Sequence, residues 1–404
     1  MGTRSGRLLQ LFVFIGIFSI HLSGVQAAGI ATQFHGGPDH AGVFEGAGPD
    51  GFFTPVWRLP AGHMVVASPI VADGTVYAGA RNGTFFALDS KTGAQKWAFA
   101  ADAPVTSTAA VGGGVVFFQS EANTITALDT NSGRELWHRA MGKDLPFDAM
   151  AGFHMVEDWD YWSSSPLLDD GRLFVGSGDG DVIALDAKNG AVIWRFATKG
   201  RVRSTPATDG KTIYVGSFDG RMYALDRETG KLLWSFKTLG NKVFPEGSIQ
   251  SSASVADGVV LFGARDFNLY ALDANTGREL WHQSVKNSWV PSTPAVHEGR
   301  VYTGSADGRA AFAFDLKTGK SLWTTPLDNL VFSSPVVADG KIYLATMGGS
   351  VFAMDEKTGN ILGYTLTEDR VLSTPWIADG VIYFGNNDGY LYAMRAGPKH
   401  YPGD

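Results

Sequence analysis

Between Met141 and Trp162 the chain reads MGKDLPFDAMAGFHMVEDWDYW, which sets Asp148, His154, Glu157, Asp158 and Asp160 among Phe147, Phe153, Trp159, Tyr161 and Trp162. Carboxylates gathered this closely could hold Ca²⁺, which takes about six to eight oxygen ligands, and Glu157 and Asp160 are the metal candidates. The spacing in EDWDYW does not follow an EF-hand loop, and solvated acids on a loop are the plainer reading. HGGPDH, from His35 to His40, offers two imidazoles without the further ligands that a zinc site needs. A third group sits in ARDFNLY, where Arg265, Asp266 and Asn268 surround Phe267.

What must position these residues is a repeat. The stretch SFDGRMYALDRETGKLLWSF returns along the chain with its side chains changed. The Asp that closes ALD recurs at 89, 129, 186, 226, 273, 315 and 355, and a Trp beyond the next turn recurs at 97, 137, 194, 234, 281 and 323, most often 40 residues apart. Self-similarity at this period marks a repeat architecture whose units bury their faces against one another. Within a unit, short alternating apolar runs are broken by Asp-Gly or Thr-Gly, the pattern of strands joined by tight hairpins whose turns need positive φ. No helix fits inside the repeats. Each unit has four strands, as in SSPVVAD, KIYLAT, VFAMD and KLLWSF, and units of this kind arranged around an axis make an all-β, eight-bladed β-propeller. The eighth unit has only three strands before the chain runs out, and FTPVWRLPAG near the start supplies a lone Trp-bearing strand with Trp57, which completes the last blade and leaves no open edge.

The seven in-register Trp residues, Trp57 included, read as packing between blades; Gly363 stands where the next is due. Four Trp residues fall out of register: Trp159, Trp162, Trp289 and Trp376. The first three lie in or beside lengthened connections between one blade's outer strand and the next blade's inner strand. The Trp-to-Trp step grows to 57 residues between blades two and three and to 47 between blades four and five, where the insertion KTLGNKVFPEGSIQ carries Glu246. Strand alternation places these insertions, and the turns between second and third strands, on one elaborated face. In most blades Gly stands six residues before the ALD Asp; blade two has Asn123 and blade five Phe267. Phe resists positive φ, so that turn is expected to be built differently and to present Arg265, Asp266 and Asn268 to that face. Loops on a rigid ring are where binding residues usually lie; shielding of the core is the alternative.

Length and composition bound the remaining classes. A chain of 404 residues with 51 glycines suits one closed propeller, and a formal net charge of −7 without a basic tract argues against a nucleic-acid partner. Arg4 and Arg7 precede LLQLFVFIGIFSI, followed by small residues in SGVQAA. The expected organisation is therefore a cleavable signal peptide over 1–27, a lead-in over 28–52 and the propeller over 53–404. The mature chain is expected to be a periplasmic or secreted monomer without a transmembrane segment. There is no Cys, hence neither disulfide nor lipobox.

In outline the repeat is SxPxVxDGxVYxGSxDGxxYALDxxTGxxLW, which resembles the pyrroloquinoline quinone (PQQ)-like, or quinoprotein-type, propeller repeat over about residues 53–395; QFHGGPDHAGV resembles the segment that often precedes it. The resemblance implies two branches. Dehydrogenases hold PQQ and Ca²⁺ in the central funnel and oxidise alcohols or sugars, many with a pair of adjacent Cys over the cofactor, which this chain lacks. The base and metal ligands would then come from Glu157, Asp160, Glu246 and Asp266, with Arg203 or Arg265 steadying an anion. The other branch is non-catalytic and includes the outer-membrane-protein assembly factor, a lipoprotein scaffold. Without a lipobox Cys, this chain departs from that protein too. A cofactor-free ring that binds an envelope protein or a small ligand is the first reading. Its contact residues are then Trp159, Asp160, Trp162, Arg203, Glu246, Arg265, Asp266 and Trp289.

Overall fold

In blade four the strands Ala207–Thr208, Thr212–Gly216, Arg221–Asp226 and Leu232–Lys237 pair antiparallel in chain order, with Tyr214 opposite Ala224 and Ala224 opposite Trp234. The computed structural model describes residues 1–2, 33–143, 162–244, 246–285 and 288–397, and within them this unit occurs eight times. The inner strands of blades one to eight are Ile70–Ala72, Ala110–Gly112, Leu167–Asp169, Ala207–Thr208, Ser254–Ala256, Ala295–His297, Val336–Ala338 and Trp376–Ala378. The first hairpin turns use the expected geometry, as at Asp73 and Gly74, with φ of 48° and 67°. Outer strands carry a β-bulge at one recurring place, such as Leu233 opposite Ala224/Leu225, which twists an otherwise open edge away from further pairing.

Closure is as the sequence implies. Phe53–Pro60 is the outer strand of blade eight and pairs with Tyr390–Ala396, Trp57 lying opposite Ala393. The in-register indoles lock blade to blade. Trp234 donates its Nε1–H to the carbonyl of Ala274 in the next blade at 2.9 Å and lies flat on Gly277, whose Cβ, were there one, would come 2.6 Å from the ring. The same pair of contacts recurs for Trp57, Trp97, Trp137, Trp194, Trp281 and Trp323 on Gly93, Gly133, Gly190, Gly230, Gly319 and Gly359. Gly363 breaks the series for a steric reason: the carbonyl of Gly51, in the segment that leads to Phe53, would lie 1.7 Å from its Cβ. Here backbone fills the place that an indole takes elsewhere.

That segment does more than lead in. Leaving Gln33, whose Oε1 accepts the N–H of Leu168 in blade three at 2.7 Å, it passes the carbonyls of Pro38, Asp39, Ala41 and Gly42 to the N–H groups of Thr208, Val255, Val296 and Val337 at 2.7–2.8 Å. Val43–Phe44 then adds a short parallel strand to Val336–Ala338. The chain thus straps the ends of the inner strands of blades three to seven in order. His35 and His40, offered above as a weak metal pair, are buried parts of this strap. The Nδ1 of His40 lies 3.0 Å from the carbonyl of Ala253, while His35 bridges the carbonyls of His40 and Pro335 at 2.7 Å each.

Candidate binding funnel at the axis

Each inner strand opens with the same few residues, and their order dictates what faces the axis. In blade four Arg203, Ser204 and Thr205 enter in turn. The Ser204 hydroxyl turns back into its own blade, accepting from the N–H of Gly216 at 2.9 Å and donating to its carbonyl at 2.8 Å; Ser107, Ser333 and Ser373 do the same with Gln119, Ala345 and Gly385. The next residue reaches sideways. Thr205 Oγ1 accepts the N–H of Ser165 at 3.1 Å, Ser252 accepts from Thr205 at 2.8 Å, and Ser334, Thr374 and Ser68 accept from Thr293, Ser334 and Thr374 at 2.9–3.1 Å. With Ser165, Thr108 and Thr293 these hydroxyls complete a belt of one per blade around an axial cavity.

Above the belt, the residues that precede each Ser-Ser, Ser-Thr or Ala-Ser pair form the mouth. From blade one to blade eight they are Val66, Thr106, Ser163, Arg203, Gln250, Pro291, Phe332 and Leu372. They divide by chemistry: blades two to five give two hydroxyls, a guanidinium and an amide, whereas blades six to one give Pro, Phe, Leu and Val. Trp162 reaches across the ring and stacks on Phe332, with centroids 6.0 Å apart and planes at 11°. Met64, Leu330, Met347 and Trp289 extend this apolar side. Phe34 from the strap lines the other end.

The electrostatics follow from these neighbours. Arg265 is buried with its guanidinium between the rings of Phe218 and Trp289, at 4.9 and 4.8 Å, a cation–π arrangement, and donates from Nη2 to Gln250 Oε1 at 2.9 Å. Asp266 is spent locally. It accepts the Tyr270 hydroxyl at 2.6 Å and the N–H of Gly240 at 3.0 Å, and burial together with this carboxylate raises the Tyr270 pKa. Asp219 and Asp388 hold Tyr223 and Tyr392 in the same register, so this is turn structure repeated. Glu246 is exposed and pairs with Lys237 at 2.8 Å, which holds its carboxyl below the usual range. Along the strap, burial lowers the pKa of His40 to about 3; for His35 burial outweighs the two carbonyls, which favour the imidazolium, and its pKa is lowered too.

Of the residues expected to share a site, Trp162 and Arg203 line the cavity, Arg265 and Trp289 stand just behind it, and Asp266 and Glu246 do not reach it. Glu157, Trp159 and Asp160 lie outside the described residues. The expectation that Phe267 avoids positive φ is corrected: its φ is +78°, and its carbonyl accepts from Val285 as that of Gly220 does from Thr238. The T-shaped contact of Phe244 with Phe267, at 6.1 Å, is packing that helps hold this conformation. Arg309 takes the same place in blade six with φ 45°. Gln250, Phe332 and Leu372 escaped the sequence reading; aligning the residue before each Ser-Ser or Ser-Thr pair would have found them, because only there does an otherwise uniform strand change in character.

Fold and axis together define a propeller of quinoprotein-like repeats, strapped at one face and open into a funnel at the other. The family described as beta-alanine-activating enzyme, beta-propeller, matches residues 163–400, and that described as outer membrane protein assembly factor BamB matches residues 54–149. The first match spans more than half of the chain, which belongs to this family of β-propellers. No curated protein matches its sequence. Among solved structures, BamB from Moraxella catarrhalis is 20% identical with a TM-score of 0.69, over 85% of this chain and 99% of that one. Quinohemoprotein alcohol dehydrogenase from Comamonas testosteroni is 15% identical at 0.75, over 93% and 82%. The computationally designed Ika8 protein is 16% identical at 0.70, over 86% and 100%. Likeness at these identities establishes the fold and nothing finer.

Proposed function

We propose that this chain is a non-catalytic binding ring of the cell envelope, which takes its ligand or partner at the mouth of the axial funnel. The observation that carries the reading is the two-sided mouth: an aromatic and aliphatic half around Trp162, Phe332 and Leu372 faces a half with Arg203 and Gln250, all on a rigid hydroxyl belt. Binding pockets combine apolar walls with a few placed polar groups in this way. The repeat's kinship with the assembly factor supports a protein partner, and the apolar run behind Arg4 and Arg7 supports export. PQQ with Ca²⁺ does not fit the described lining. A Ca²⁺ ion wants carboxylate and carbonyl oxygens, and the described cavity wall brings hydroxyls, one amide and one guanidinium, while Asp266 and Glu246 are engaged elsewhere.

The test is to incubate the purified protein with PQQ and Ca²⁺, record the absorbance spectrum, and assay dye reduction over alcohols and sugars. No cofactor band and no turnover are expected. Reduction that depends on both additions would replace this reading with that of a dehydrogenase.

A further inference from the structure

The strap serves the inner strands of five blades and leaves those of three, although all eight blades repeat one backbone design. In blade seven Val337 lies opposite Ile342, one place before the first hairpin turn, and Ile377, Val71 and Val111 lie opposite Ile382, Val76 and Val116 in the same register. A residue at this place exchanges no ladder bonds with its own blade, so its N–H points outward. That of Val337 meets the carbonyl of Gly42, those of Thr208, Val255 and Val296 meet the strap likewise, and that of Leu168 meets Gln33. The N–H groups of Ile377, Val71 and Val111, in blades eight, one and two, point the same way and meet no acceptor among the described residues. The path of the strap explains this. Past Phe44, whose ring lies 4.7 Å from that of Trp376, the chain turns outward over blade seven, where the carbonyl of Pro49 accepts the Tyr343 hydroxyl at 2.8 Å and Gly51 lies on Gly363. Three adjacent strand ends are left beside it. Their side chains are buried, so an incoming molecule meets main chain there, and a row of main-chain donors on strand edges is what an extended peptide pairs with.

We propose that the strand ends at Ile377, Val71 and Val111 dock an extended segment of a partner protein, which continues the strap around the axis and passes its carbonyls to these three N–H groups. The occupant follows from continuity. The arc adjoins the strap on both sides, at blade seven, where Val43–Phe44 pairs with Val336–Ala338, and at blade three, where Gln33 bonds to Leu168. The short run from Pro38 to Gly42 serves four strands, so a run of that length spans the arc. In blades eight and one the arc residue is followed two places on by an exposed carboxylate, Asp379 and Asp73, and the segment is therefore basic; Lys96, bound to Gly74 and Thr75, offsets Asp73 only in part. This surface lies on the face opposite the funnel mouth and does not depend on what the mouth binds.

The full chain should be titrated with a synthetic peptide of the strap's own sequence, QFHGGPDHAGVF, and with the same peptide carrying Asp39→Lys, by calorimetry and by amide hydrogen exchange resolved to single residues. Without peptide, the amides of Ile377, Val71 and Val111 should exchange faster than those of Thr208, Val255, Val296 and Val337, which the strap holds. Both peptides should bind, the Lys form more tightly, and binding should slow exchange at the three arc amides about tenfold or more. Val71→Pro deletes one arc donor and no ladder bond, and should weaken binding about tenfold, whereas Val71→Ala keeps the N–H and should bind as the parent does. Arc amides already protected without peptide would show that the chain fills the arc itself. That result, absence of binding, tighter binding of the unaltered peptide, protection away from the arc, or full affinity in Val71→Pro would each overturn the proposal. Should Val71→Pro not fold, the exchange pattern of the unaltered chain still decides.

Discussion

Two rings of this molecule are drawn from the same repeats and have opposite histories. At the joints between blades, one position supplies Trp seven times and the position it rests on supplies Gly seven times. At the mouth of the funnel, one position supplies Val, Thr, Ser, Arg, Gln, Pro, Phe and Leu, one each. The joint solves a problem that is identical in every blade: an indole must bury its faces and satisfy its N–H. The mouth has no such common demand, because a ring of eight identical residues would be symmetric and an ordinary ligand is not. Within one chain, uniformity across copies marks what the fold needs, and departure at a fixed register marks where something else is asked of it.

The contrast breaks most severely if the ring is opened. Deleting residues 33–60 removes the strap and the outer strand Phe53–Pro60, leaving blade eight with three strands and an unpaired edge. Cooperative thermal unfolding should be lost and the protein should aggregate; a truncated chain that melts with the parent's midpoint would show that closure contributes little. Next in size is a single joint. Trp281→Ala removes a buried indole together with its hydrogen bond to Leu316, and should cost about 3–5 kcal/mol in denaturant unfolding. A loss under about 1 kcal/mol would mean that the joints are not where the ring is held.

The strap gives the third test, through pH. His40, and with it His35, has a folded pKa below its ordinary value. At pH 7.5 both states hold these rings neutral, and nothing is at stake. As pH falls below about 6.5 the unfolded chain binds protons that the folded chain refuses until about pH 3 in the case of His40, so stability declines over this window by up to ~1.4 kcal/mol per pH unit for each histidine. His138, raised by Glu135, works the other way, but it sits on the surface where solvent screens it. The capping aspartates such as Asp89, with lowered pKa values, matter only below the carboxylate range. Unfolding free energies at pH 7.5 and 5.0 should therefore differ by a few kcal/mol, and His40→Gln should reduce the difference; an unchanged difference would place the pH sensitivity elsewhere.

These regions were not equally legible in the sequence. Blade count, strand order and the closing strand could be read because periodic features confirm one another copy by copy. The strap could not be read: QFHGGPDHAGV occurs once, and its bonds are made by backbone carbonyls, which leave no trace in residue types. Its two histidines therefore looked like stray ligands. Phe267 misled for a related reason, since intrinsic preference predicts a turn's conformation only until packing, here against Phe244, decides it. Trp162 and Trp289 were singled out because they break register and Arg265 because it adjoins Phe267, whereas Arg203 and Asp266 were proposed for their charge, and Asp266 belongs to a turn built also at Asp219 and Asp388.

Smaller effects separate the belt from the mouth. Thr205→Val keeps the shape of the side chain and deletes the acceptor for the N–H of Ser165, leaving a buried donor unpaired at a cost of about 1–3 kcal/mol.

Trp162→Ala should cost least of all in stability and most in binding. Its indole is half-buried and rests on Phe332 across an open cavity, with no neighbouring blade's glycine beneath it. Surface changes away from caps and cores usually fall within about 0.5 kcal/mol, and this half-buried indole, packed beside the cluster of Val66, Ala306, Phe332 and Leu372, should cost somewhat more. As an aromatic wall of the mouth, by contrast, the indole is the kind of anchor whose truncation costs a ligand about 1–4 kcal/mol. Melting curves and partner pull-down of Trp162→Ala and Trp281→Ala, run side by side, should then give opposite orders: Trp281→Ala far less stable, and Trp162→Ala near the parent in stability but weaker in binding. Should Trp162→Ala destabilise as much as Trp281→Ala, the off-register indole would be one more joint, and the line drawn here between uniform and varied positions would no longer divide structure from function.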